Sequence, residues 1–123
     1  MDAIARLTED HRVLRELLDE LAATTSRATK RRVELLAEIT IQLKAHTLIE
    51  EEIFYPRLRD QGAKAADAKM YFEALEEHRA AGELVLPDLL DAPEASDAFS
   101  GRAKVLKELV THHAEEEEQE MFP

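Results

Sequence analysis

Apolar residues recur along the chain at intervals of three and four, the repeat of a helix that turns one face inward. The first such stripe is Ile4, Leu7, Leu14, Leu18 and Leu21, and it predicts a helix from near Asp2, the expected N-cap, to about Thr25. A second, Leu36, Ile39, Leu43 and Ile53, predicts a helix from Lys30 to Tyr55 that stops near Pro56, with the loop marked by Gln61-Gly62. The third, Tyr71, Leu75, Gly82, Val85 and Leu89, spans about Asp67 to Leu90, and Pro87 predicts a kink or an end near Leu86. After a loop at residues 91–96, Ser96 or Asp97 should cap a fourth helix carrying Phe99, Ala103, Leu106, Val110 and Met121. No segment alternates with period two. The fold expected is therefore all-α, an up-down-up-down four-helix bundle forming a single domain over residues 1–123.

Polar residues interrupt each stripe at the stripe's own phase. They are His11 in the first helix, His46 and Glu50 in the second, His78 in the third, and His113 and Glu117 in the fourth. A buried, uncompensated carboxylate costs several kcal/mol, so two of them in a seam call for cations. The spacing His-x-x-x-Glu sets imidazole and carboxylate one turn apart on one face. With successive helices antiparallel, all six groups fall at one depth of the bundle.

An internal repeat carries the same message. His46-Thr-Leu-Ile-Glu50-Glu-Glu-Ile-Phe-Tyr-Pro56 matches His113-Ala-Glu-Glu-Glu117-Glu-Gln-Glu-Met-Phe-Pro123 in its His, its two Glu, an apolar pair and its Pro. His112 and Glu116 share the His-x-x-x-Glu spacing but are out of register with the proline and with Leu106 and Val110, which assigns His112 to the flank or to the layer just behind the ligands. The remaining glutamates of the 115–120 run, with Glu51, Glu52, Glu76 and Glu77, are expected on the surface. Met70 and Met121 are expected in packing.

Composition narrows the chemistry. The chain has 123 residues, 45% of them hydrophobic, and a net charge of −11, which repels nucleic acid. It has no cysteine, so disulfides, iron–sulfur clusters and thiolate zinc sites are excluded. No stretch approaches a membrane span and no secretory leader is visible, so a cytoplasmic location is expected. The Glu-x-x-His of ferritin-type bundles and the His-Glu-x-x-His of zinc proteases are both absent.

The order His, His-x-x-x-Glu, His, His-x-x-x-Glu resembles the hemerythrin-like (HHE cation-binding) family over essentially the whole chain, and looks similar to short actinobacterial members. The resemblance implies two iron ions bridged by two carboxylates and an oxo or hydroxo group. Glu50 and Glu117 would be the bridges, His11 and His46 would serve one iron, and His78 and His113 the other. Oxygen-carrying hemerythrins have two histidines one turn apart on the third helix, whereas Ala74 and Gly82 flank His78 here. A neighbouring carboxylate such as Glu51 or Glu77, water or substrate must fill that place. The departure points away from reversible oxygen carriage and toward small oxidants. The expectation is catalase-like peroxide decomposition or oxygen or nitric oxide handling in oxidative stress, the alternative being a sensor or storage module without turnover. Tyr55 and Tyr71 could hydrogen-bond a bound ligand, although packing is the commoner use of a seam tyrosine.

Overall fold

The computed structural model describes residues 3–60 and 65–121. The expected cap Asp2, the Gln61-Gly62 loop and Pro123 lie outside them, and the side chain of Met121 is not among those described. Every regular element among the described residues is helical, and they join into four runs. The first is α1 (Ala3–Ala23). The second is α2 (Thr29–Ile49), a wide π turn over Glu50–Phe54, and α3 (Tyr55–Asp60). The third is α4 (Ala65–Arg79), a π turn over Ala80–Val85, and α5 (Leu86–Asp91). The fourth is α6 (Asp97–Glu116) followed by a π turn over Glu117–Met121. The first run packs on the second and the fourth, and the fourth also packs on the third.

The inward stripes meet as the periodicity predicts. Leu14, Leu18 and Leu21 from the first run join Leu35, Ile39 and Leu43, Leu86 and Leu89, and Phe99, Leu106 and Val110 in one core. Ser96 caps α6, its Oγ accepting from the Phe99 N–H at 3.1 Å. At the same end, the fully buried Arg32 ties two connections together. Its guanidinium donates to Thr24 Oγ1 (2.9 Å), the Thr24 carbonyl (3.0 Å), the Glu94 carbonyl (2.6 Å) and Ser100 Oγ (2.9 Å), and it lies 4.7 Å over the Phe99 ring.

The π turns correct the stripes. Each adds a residue to a turn, and an added residue rotates the downstream side chains by about 100° relative to an unbroken α repeat. After Glu50, the next buried residue is therefore Tyr55, while the expected Ile53 is 49% exposed. After His78, burial passes to Ala81, Leu86 and Leu89, which leaves Gly82 and Val85 off centre. Pro87 does not end the third run, nor Pro56 the second. Each is the second residue of a fresh α segment just past a π turn, where a missing N–H is tolerated, and the runs continue to Asp91 and Asp60. Ile4 is in phase but lies in the first turn, where packing covers a stripe from one side only, and it is 40% exposed.

Candidate metal centre

All six expected site residues are buried, and they converge. His11 Nε2 lies 3.2 Å from His46 Nε2 and 3.1 Å from Glu117 Oε1. His46 Nε2 lies 2.9 Å from Glu50 Oε1. On the other side, His78 Nε2 lies 3.0 Å from His113 Nε2 and 3.1 Å from Glu50 Oε1, and His113 Nε2 lies 3.3 Å from Glu117 Oε1. Two groups of possible ligands result. One is His11, His46, Glu50 and Glu117, and the other is Glu50, His78 and His113, so Glu50 belongs to both.

The outward nitrogens reveal a second layer. His46 Nδ1 faces Asp10 (3.3 Å), His78 Nδ1 faces Glu51 (3.5 Å), His113 Nδ1 faces Glu77 (3.4 Å) and His11 Nδ1 faces Glu118 (3.2 Å). Each run lends a carboxylate to the histidine of the next, and the fourth returns to the first. Arg15 holds Glu118 in turn, at 3.2 Å. Each of these carboxylates is the chain neighbour of a candidate ligand. That adjacency was the signal for Asp10 and Glu118, which periodicity alone does not select. Glu51 and Glu77 stand at the outer nitrogens, not in the place left by the missing third-helix histidine.

This layer decides which charge the centre accepts. A carboxylate only accepts hydrogen bonds, so an outer carboxylate favours a neutral imidazole with its proton outward and an Nε2 lone pair inward; the contact is a hydrogen bond at His11 and His46 and a charge attraction alone at His78 and His113. Four inward lone pairs and two carboxylates then face one another in an apolar interior, and Glu50 Oε2 has no hydrogen-bond partner at all. Such a donor set fits cations with nitrogen and oxygen preferences.

Without cations, protons perform the neutralisation. Burial opposes charge on His113, but Glu50, Glu77 and Glu117 outweigh it and raise its pKa to about 10. The pKa of His46 is raised too: burial opposes the charge, and Glu50 and Asp10 overcome it. Burial works to raise the Glu50 pKa, yet hydrogen bonds from Glu117 and three histidines hold it well below the usual carboxylate range. Glu117 is pushed up, by burial and then by Glu50. One carboxylate of the pair thus stays ionised while the other tends to keep a proton.

Tyr55 completes the site. It is fully buried, and its hydroxyl donates to Glu117 Oε2 at 2.6 Å while standing 3.3 and 3.2 Å from the Nε2 atoms of His78 and His113. Burial, then the Glu50 and Glu117 charges, push the phenol far above its ordinary pKa. Tyr71, only partly buried, packs edge-on against the Tyr55 ring at 5.9 Å. Next to the imidazoles lies a cavity of about 20 Å³, walled mainly by Leu14, Leu43, Ala81, Leu109, Val110 and Ala114.

Comparison with known proteins agrees with this arrangement. The family described as the hemerythrin HHE cation-binding domain matches residues 2–123. Relatives include an uncharacterised protein of Mycobacterium tuberculosis strain H37Rv, one from its strain CDC 1551 and one of Mycobacterium bovis. Each is 28% identical over 123 residues, which is all of this chain and 71% of the relative. No solved structure gives a significant match. With a buried His/Glu cluster that could hold metal and a family match along nearly its whole length, the chain belongs to the hemerythrin HHE cation-binding domain family.

Proposed function

We propose that the chain is a non-haem di-iron protein that reacts with small oxidants, foremost by catalase-like decomposition of hydrogen peroxide. The observation that carries the reading is the pairing of two adjoining ligand groups with a cavity of about 20 Å³ beside them. A single water needs roughly 10–15 Å³, so the cavity suits a molecule of two heavy atoms such as peroxide, dioxygen or nitric oxide. An open groove of about 480 Å³ between the second and third runs shares Leu43, Thr47 and His78 with that cavity and offers a way in.

In this reading His11 and His46 hold one iron, His78 and His113 the other, and Glu50 and Glu117 serve both. Iron held there would supply two-electron redox chemistry, one peroxide being reduced to water with two protons and a second oxidised to dioxygen with release of two protons. Tyr55 stands beside His78 and His113, the pair that would hold the second iron. The phenol and Glu117 hold a proton between them at 2.6 Å, close to where oxygen atoms would need it. The apolar walls exclude bulk water and larger substrates.

The reading also takes the four runs as an up-down-up-down bundle. Support comes from the outer carboxylates. Asp10 and Glu77 precede their neighbouring ligands His11 and His78, whereas Glu51 and Glu118 come after Glu50 and Glu117. Reaching round the centre in one rotational sense requires that alternation if successive runs point in opposite directions.

Metal analysis of the iron-loaded protein is expected to give about two irons per chain, as paired ligand groups of a di-iron bundle imply. An oxygen electrode should then record dioxygen release on adding peroxide. Iron-loaded protein that releases none would overturn the peroxide reading. Retained binding of nitric oxide or dioxygen in that case would favour a sensor or store.

A further inference from the structure

The fourth run carries a second His-x-x-x-Glu pair, His112 and Glu116, one residue out of step with His113 and Glu117. One residue is a rotation of about 100°, which moves the pair from the centre to the flank of the same helix. There it meets Glu77 of the third run. Ligand atoms of Glu77, His112 and Glu116 all lie within 4.8 Å of one another, and His112 Nε2 is 3.7 Å from Glu116 Oε2. His112 is exposed, and the two glutamates are half-buried. One imidazole and two carboxylates on neighbouring helices suit a divalent cation held loosely, with water completing its shell.

The cluster is joined to the interior. Glu77 Oε1 also stands 3.4 Å from His113 Nδ1, a buried nitrogen aimed at it without a hydrogen bond. A narrow cavity lined by Glu73, Glu77, Glu116, His113 and Glu117 runs beneath. It shares Glu77 and Glu116 with the surface cluster and His113 and Glu117 with the buried centre. Carboxylates therefore line the way from one to the other, and a net charge of −11 draws cations toward the protein as a whole.

We propose that Glu77, His112 and Glu116 form a third, surface site for a divalent cation, at which ferrous iron is held before it passes along the Glu73–Glu116 cavity to the buried centre. The loading role rests on the di-iron reading above. The surface site itself does not.

Mn2+ is the probe. Added to the iron-loaded protein, it should broaden the ring resonances of His112 and occupy one further site per chain. H112A and E116Q should weaken that site about tenfold or more while leaving the tightly held iron in place. Stopped-flow uptake of Fe2+ by the metal-free protein should slow several-fold in both variants, with the same final iron content. His112 is 70% exposed at its side chain, so its replacement spares the fold. Mn2+ binding unchanged by either substitution, or loading at the wild-type rate, overturns the proposal. Failure of the di-iron reading shows separately, as wild-type protein that retains no tightly bound iron.

Discussion

At the scale of single residues, Tyr55 has the most to lose. Its hydroxyl is the hydrogen-bond donor to Glu117 Oε2, and both groups are fully buried. Y55F leaves a buried carboxylate oxygen without its donor and should lower the stability of the metal-free protein by about 1–2 kcal/mol, read by denaturant unfolding. An unchanged midpoint would mean that the phenol's contact contributes nothing. His113 predicts a pH dependence. Its pKa rises from 6.5 to about 10 on folding, so the folded metal-free protein binds the proton more tightly than the unfolded chain. That stabilisation is fully present below pH 6.5 and is lost as pH rises from there through about 10. Thermal unfolding of metal-free protein should fall across that window, and less steeply in H113N. Metal ligation needs the neutral imidazole, so metal affinity should rise over the same window.

At the scale of elements, the sequence exposed what repeats and hid what breaks the repeat. His11, His46, Glu50, His78, His113 and Glu117 could be picked out because polar groups at an apolar phase are conspicuous, and all six are buried together. The α6 stripe from Phe99 to His113 belongs to an unbroken helix, and its burial came out as the spacing predicts. Ala81 lies within a π turn, and Tyr55 and Leu86 come directly after one, so a fixed 3.6-residue period puts all three off the inward face. An aromatic or leucine before proline, in Tyr55-Pro56 and Leu86-Pro87, was the available clue to where the period restarts. Arg32 was hidden for another reason. Its partners are two backbone carbonyls and two hydroxyls, drawn from the connection after α1, the connection before α6 and the first turn of α6, which no local pattern reports. R32A should cost about 2–4 kcal/mol in denaturant unfolding, because four donors' worth of neutral acceptors lose their partner inside the protein. R32K should recover little, since an ammonium cannot span the same fork. Equal stability of R32A and wild type would show the two connections to be held by other contacts.

At the scale of the molecule, the centre and the apolar core are neighbours in one interior, so metal content and stability should move together. Removing the ions should lower the melting temperature by about 10 °C, the size expected when a ligand at roughly a hundred times its dissociation constant is withdrawn. A scan of loaded and chelator-treated protein checks this, and coincident curves would contradict it. The relay of outer carboxylates bears on a different choice. Four similar rods can be arranged clockwise or anticlockwise around an oily seam, and leucines pack tolerably in both. Asp10, Glu51, Glu77 and Glu118 each lean to one side only, toward the next histidine in chain order. In the topological mirror image every one of them would point at the wrong neighbour, and the His11 and His46 imidazoles would lose their hydrogen-bond partners. The device that aims the histidines thereby also selects the handedness of the assembly.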